Sequence, residues 1–165
     1  MDFLNVQTTL SHLEMKRSYR AAEFGCGTAE FALGLAKKLD RGKVYAIDIQ
    51  QEKLTMLKKK MALAHITNIV TIVCDLEMPR ATKLPDHSLD IVLIPNLLFQ
   101  VKDRHGIINE AKRVLKPGGQ LLVIDWSKSS PLGPKEGIIG PKEMKEMVSA
   151  SGFSLTGEFS MLNGL

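Results

Sequence analysis

Three short stretches carry residue types at spacings that suit nucleotide chemistry. The first, Glu23-Phe24-Gly25-Cys26-Gly27-Thr28-Ala29-Glu30, sets two glycines between an apolar run and a helical pattern. Glycine lets a backbone turn sharply and approach a ligand with no Cβ in the way, and the helix start that follows offers unpaired N–H groups. The second is Asp48, which closes Val44-Tyr45-Ala46-Ile47 and stands 21 residues after Gly27. At that distance a carboxylate can accept hydrogen bonds from both hydroxyls of a ribose. The third is Asp75, which follows Ile69 to Cys74 and could accept from an exocyclic amine. Three acids at neighbouring strand ends gather like charge at one edge, a cost that a cationic or hydroxyl-rich ligand relieves.

The elements that must position these residues follow from the alternation of apolar runs with helical periodicity, the pattern of a parallel sheet covered by helices. The sequence predicts strands over Tyr19 to Phe24, Val44 to Ile47, Ile69 to Cys74, Leu89 to Ile94, Gln120 to Trp126 and Phe153 to Phe159. Helices are expected from about Thr28 to Leu39, from Gln51 to Ala64, from an Asp103 cap to Leu115, and from Pro141 to Gly152. Lys116-Pro117-Gly118-Gly119 reads as the stop and turn after the third helix. The expected fold is α/β, a doubly wound, mostly parallel open sheet. Residues 1–165 form one domain, with a short N-terminal helical segment over 1–18, a Ser/Pro/Gly loop over 127–140, and a C-terminal helix and strand over 141–165. Only Ser160 to Leu165 would remain for a further antiparallel strand, so that strand is expected to be missing or a stub, leaving an exposed sheet edge.

In such a sheet ligands bind beyond the carboxyl ends of the strands, where the strand order reverses. A dinucleotide fingerprint there needs G-x-G-x-x-G, and Glu30 stands where its last glycine should be. Glu23, two residues before the first glycine, also disfavours a doubly anionic pyrophosphate and suits a ligand bearing an ammonium and a sulfonium. That ligand is S-adenosylmethionine. The stretch Ala22 to Ala29 resembles the first motif of class I S-adenosylmethionine-dependent methyltransferases. Asp48, Cys74-Asp75-Leu76, the run Leu84 to Leu93, and Glu110-Ala111 through Arg113-Val114-Leu115-Lys116-Pro117-Gly118-Gly119 are similar to that family's later motifs in the same order. Within the class the sequence is most similar to the ubiquinone/menaquinone-biosynthesis-like, type 11, group, over roughly Tyr19 to Trp126.

The resemblance implies a role for each matching position. Gly25 and Gly27 would face the methionine part of the cofactor, with Glu23 contacting its ammonium directly or through water. Asp48 would hold the ribose hydroxyls, and Ile49 would pack on the adenine. Asp75 would accept from the adenine amine and the Leu76 N–H would reach a ring nitrogen. Asn96 would lie beside the methionine end, with Leu97, Leu98, Phe99 and Trp126 around the acceptor entrance. Ala29 departs from the family's third glycine. Ile94-Pro95-Asn96-Leu97 is not the Asn-Pro-Pro-aromatic signature of enzymes that methylate exocyclic base amines.

Methyl transfer from a sulfonium is an in-line displacement that proximity and orientation can drive. A general base is required only where the acceptor must lose a proton. Asp125, at the end of the fifth strand, is the one candidate. Cys26 reads as a small filler of the glycine turn, and the four histidines as surface or capping residues. Cys and His do not cluster at ligand spacing, so no metal is expected.

The chain has 165 residues, 44% apolar and 24% charged, with a net charge of +4. That mixture excludes a disordered or fibrous chain and needs no disulfide staple. The basic residues are spread out and aromatic content is 5%, which does not favour a nucleic-acid partner. No apolar run is long enough to span a membrane and no signal pattern opens the chain, so a cytoplasmic protein is expected. The leading reading is a methyltransferase acting on a small molecule, apolar or aromatic in keeping with the entrance, and pairing with a second copy through the exposed sheet edge. Two alternatives are a cofactor-binding domain that is catalytically idle or partner-dependent, and a nicotinamide-dependent oxidoreductase.

Overall fold

The first four apolar runs expected as strands all become strands. In the computed structural model, which describes residues 5–160 apart from 129 and 132, the order is α1 (Val6–Leu10), β1 (Arg20–Phe24), α2 (Glu30–Lys38), β2 (Lys43–Asp48), α3 (Gln51–Leu63) and β3 (Ile69–Val73). There follow β4 (Leu89–Pro95), a 3-10 turn (Leu98–Gln100), α4 (Arg104–Val114), β5 (Leu115–Ile124) and α5 (Pro141–Ala150). The strands form one sheet in the order β3-β2-β1-β4-β5, with every pair parallel. The order reverses between β1 and β4, so the ends of those two strands border the crevice where an open α/β sheet takes its ligand.

Side chains alternate between the two faces, as a period of two requires. Ala21, Ile91, Leu93, Leu122 and Ile124 join the core under α1, α2 and α3. Ala22, Phe24, Val92 and Ile94 join the core under α4 and α5. The helices start and stop where the local chemistry says. The Asp103 side chain accepts the Gly106 N–H at 2.8 Å to open α4, and Pro141 takes the first turn of α5. No helix among the described residues is long and apolar enough to cross a membrane.

Two expectations are corrected. The run Leu115–Ile124 is one strand, so Lys116-Pro117-Gly118-Gly119 belongs to an irregular beginning of β5, with a register shift opposite Leu89/Ile91 and Gly118 at φ 77°. Phe153 to Phe159 forms no strand. Phe153 packs with the α4–α5 core, with the Lys112 ammonium 4.6 Å above its ring, whereas Phe159 packs with the opposite core and stacks on His12 at 3.7 Å. A segment that passes from one face of the sheet to the other cannot run alongside β5 in register. Among the described residues the outer edge of β5 therefore has no strand partner. Most of the expected stub, residues 161–165, lies outside the described residues.

The connection between β3 and β4 is fastened to α4 by a buried ion pair. Glu110, 5% exposed, accepts from the Thr82 hydroxyl at 2.6 Å and from Arg113 Nε and Nη2 at 2.8 and 2.7 Å. Arg113 Nη1 also donates to the Leu84 carbonyl and to Asp86. Burial pushes the Glu110 carboxyl upward, but the Arg113 and Thr82 hydrogen bonds and the Arg113 charge outweigh it, and the net shift is downward. A carboxylate depressed in the folded state stabilises above its unfolded pKa, and that contribution is lost as pH falls through the folded value. Glu110→Ala leaves Arg113 with its best partner gone, and urea unfolding at pH 7 should show a loss of about 3 kcal/mol. The variant should also lose less stability than the wild type between neutral and strongly acidic pH; equal pH slopes would contradict the ion-pair account.

Candidate cofactor site

Parallel register brings the three acids to neighbouring strand ends, with Phe24 opposite Ile47 and Asp48 opposite Val73. Between β1 and α2 the chain turns through three left-handed residues, Gly25 (φ 75°), Gly27 (φ 46°) and Ala29 (φ 63°). The Gly25 and Cys26 N–H groups both donate to the Ile47 carbonyl at 2.9 Å, which locks the turn against β2. A Cβ on Gly27 would meet nothing within 4 Å, so open space lies above it, whereas one on Gly25 would meet the Leu97 side chain at 3.1 Å. Cys26 is buried, its thiol pushed up to about 12, chiefly by burial. It fills the turn, and its raised pKa disfavours the thiolate.

The acids differ in what they do. Glu23 is 1% exposed and accepts the Ala32 N–H at 2.8 Å, so it caps α2 from β1 in place of the missing side-chain cap at Ala29. Burial pushes its carboxyl well above the usual range; the Ala32 bond opposes this, and the Asp48 and Glu30 charges add to it. Asp48, 8% exposed, uses one oxygen for the Gly27 N–H at 3.0 Å and the other for the Gln50 N–H at 2.9 Å. Each oxygen keeps a lone pair for a further donor. Asp75 is exposed and accepts the Glu77 N–H at 2.9 Å, with Leu76 buried behind it. Ile49 next to Asp48 is 61% exposed, and Val73 and Met78 also present apolar surface to solvent at this end of β2 and β3. A glycine turn with open space, a carboxylate with spare acceptor capacity and bare apolar side chains fit an adenosine-containing group.

Across the reversal point, Asn96 takes φ 51° and donates its N–H to the Ile124 carbonyl at 2.7 Å, tying the end of β4 to β5. Asp125 follows. Its Oδ1 accepts the Trp126 N–H at 2.8 Å, and its buried Oδ2 has no hydrogen-bond partner among the described residues. Burial raises this carboxyl, and the Phe99 N–H and the Arg104 charge offset the rise only in part. Of the four apolar residues expected around an entrance, Leu98 is fully buried in the core, which leaves Leu97, Phe99 and Trp126.

Two contacts lay beyond sequence reasoning. Lys60, one of a lysine run that reads as a wet helix face, donates to the Thr28 carbonyl at 2.9 Å and to Glu30 at 2.6 Å, clamping α3 to the glycine turn. Arg104 bridges the 3-10 turn to the loop before α5. Its signal is present: a cation at the start of a helix, next to the capping Asp103, has the wrong sign for the helix dipole.

Ala29 shows how far the turn tolerates its missing glycine. Left-handed backbone costs an alanine about 1–2 kcal/mol. Replacing it with glycine forfeits about 0.8 kcal/mol of methyl burial and about 0.5–1 kcal/mol of backbone entropy. The terms cancel, so Ala29→Gly should unfold in urea within about 0.5 kcal/mol of wild type. Ala29→Val, strained and overpacked, should lose roughly 2–4 kcal/mol; equal stability of the two variants would contradict the strained turn.

Comparison with known proteins bears on this geometry. A family model described as a methyltransferase domain matches residues 22–123, which take in the glycine turn, Asp48, Asp75 and most of β5. Demethylmenaquinone methyltransferases of Bacillus mycoides and Bacillus cereus are 28% identical over 134 residues, 79% of this chain and 54% of theirs. The chain thus spans about half the length of the curated relatives it matches. A SAM-dependent methyltransferase from Aquifex aeolicus has the same fold, with TM-score 0.80 and 22% identity over 92% of this chain and 80% of that one. So does Haemonchus contortus phosphoethanolamine N-methyltransferase 2, solved with S-adenosyl-L-methionine, with TM-score 0.77 and 18% identity over 90% of this chain and 36% of that one. The strand-end acids, the glycine turn and the family match agree: the chain belongs to the methyltransferase domain family, as a class I S-adenosylmethionine-dependent methyltransferase domain of the ubiquinone/menaquinone-biosynthesis-like type.

Proposed function

We propose that this chain, residues 1–165 acting as one domain, transfers a methyl group from S-adenosylmethionine to an apolar small molecule, and that the acceptor is a quinol. The observation that carries the reading is the set of three carboxylates at adjacent strand ends beside a glycine turn with open space above Gly27. The buried Glu23 behind that turn repels a pyrophosphate and disfavours a nicotinamide dinucleotide. The relatives named demethylmenaquinone methyltransferases suggest the quinol, and the apolar surfaces of Leu97, Phe99 and Trp126 suit its ring.

When bound, the cofactor supplies a methyl group already activated on a sulfonium. The chain's residues orient and desolvate. Asp48 holds the ribose hydroxyls with the lone pairs that Gly27 and Gln50 leave free, and Ile49 packs on the adenine. Asp75 accepts from the adenine amine and the Leu76 N–H donates to the ring. Gly25 and Gly27 admit the methionine part, Glu23 supplies negative potential for its ammonium from behind the turn, and Asn96 lies beside it. Asp125, at the end of β5 next to Trp126, is the candidate to take a proton where the acceptor must lose one. No metal takes part. The domain works in the cytoplasm without nucleic acid, and the open edge of β5 pairs with a second copy.

Methyl-labelled S-adenosylmethionine with a short-chain demethylmenaquinol should give label in the quinol. Asp48→Ala should keep its circular dichroism and lose about 100-fold or more in kcat/KM, the loss of two hydrogen bonds to a charged acceptor. Unlabelled quinol after prolonged turnover would overturn the acceptor, and full activity of Asp48→Ala would overturn the ribose role. Sedimentation showing only monomer at high concentration would overturn the pairing.

A further inference from the structure

The acceptor side of the sheet is covered by the loop that leads into α5. Its Gly137, at φ 79°, lies so close to the 3-10 turn after β4 that a Cβ there would stand 2.3 Å from the Phe99 carbonyl oxygen. A Cβ on Gly133 would stand 3.1 Å from the Trp126 ring, and Ile139 is buried in the α4–α5 core. The loop backbone thus rests on Phe99 and Trp126, two of the three apolar residues left around the proposed acceptor position.

One side chain fastens this arrangement. Arg104 opens α4, where a cation is unfavourable to the helix dipole and the neighbouring Asp103 carboxylate is already engaged by the Gly106 N–H. Its side chain is 25% exposed and reaches three segments. Nε donates to the Leu98 carbonyl at 3.1 Å in the 3-10 turn, and Nη2 donates to the Gly137 carbonyl at 2.9 Å in the loop. Nη1 points to Glu143 in the first turn of α5 at 3.5 Å. A guanidinium can serve acceptors in several directions at once, as an ammonium on a flexible stem cannot. The same positive charge and the Phe99 N–H both favour the Asp125 carboxylate.

We propose that Arg104 is a positioning residue for methyl transfer: its guanidinium latches the loop at Gly137 onto the turn Leu98–Gln100 and so sets acceptor access and water exclusion over the ends of β4 and β5. The inference rests on the methyl-transfer reading of those strand ends. Release of the Gly137 carbonyl frees the loop to lift from Phe99 and Trp126, while the cofactor side, held by Asp48 and the glycine turn, stays in place.

Trp126 is the chain's only tryptophan and reports the loop directly. Arg104→Gln and Arg104→Lys in the full chain should each raise acrylamide quenching of its fluorescence about 3-fold and shift its emission to the red, as expected when a covering loop opens. S-adenosylhomocysteine affinity by calorimetry should stay within about 2-fold, and KM for the demethylmenaquinol should rise more than kcat falls. Gly137→Ala, which pushes the loop off the Phe99 carbonyl with Arg104 intact, should expose Trp126 in the same way and guards against an Arg104 variant that misfolds. Unchanged quenching in folded variants at both positions would overturn the latch, as would S-adenosylhomocysteine affinity falling by about 10-fold in step with exposure. Failure of the wild type to bind S-adenosylhomocysteine would instead overturn the methyl-transfer reading, and the quenching result would then decide the latch alone.

Discussion

The carboxylate of Asp48 ties together the turns that follow two neighbouring strands. One oxygen holds the Gly27 N–H in the turn after β1, and the other holds the Gln50 N–H in the turn after β2. With the Ile47 carbonyl taking two further N–H groups of the same turn, the glycine segment is fixed by β2. These bonds hold the turn in place, with open space above Gly27. A site built this way asks little reorganisation of the chain when a nucleoside enters, and preorganisation of that kind is where affinity is gained.

The electrostatic arrangement has a cost the fold tolerates. Glu23 lies in the core with its carboxyl pushed upward by burial and by the neighbouring Asp48 and Glu30 charges. A buried carboxylate facing like charges does not stabilise a folded chain, and its bond to Ala32 returns only part of what burial takes. Such groups concentrate where a ligand completes the charge balance. Across the reversal point the logic differs: Asn96, the 3-10 turn and the Arg104 contacts build a covered apolar position beside one buried carboxylate oxygen. One half of the crevice is thus charged and pre-formed, and the other is apolar and closed by a loop.

Much of this was legible in the sequence because it is local. The glycine turn, the acids closing β2 and β3, the Asp103 cap and the Pro141 start are each written within a few residues, and the parallel α/β sheet follows from their alternation. What escaped depends on partners distant in the chain. Phe153-Ser154-Leu155-Thr156 alternates as a strand does, yet alternation does not say whether an edge is there to pair with, and the segment crosses to the other face to stack Phe159 on His12. Leu98 reads as an entrance residue, but the 3-10 turn rotates it into the core. Glu23 reads as a ligand contact, and only the fold shows its carboxylate engaged by α2. Lys60 looks like any lysine on a wet helix until α3 is laid against the glycine turn.

We read the charged half of the crevice as an adenosine site selective for a group without a pyrophosphate. Titration calorimetry of the wild-type chain with S-adenosylhomocysteine and, separately, with NADH tests it most directly. One saturable S-adenosylhomocysteine site per chain and no saturable heat with NADH are expected. Saturable NADH binding, or none with S-adenosylhomocysteine, would contradict it.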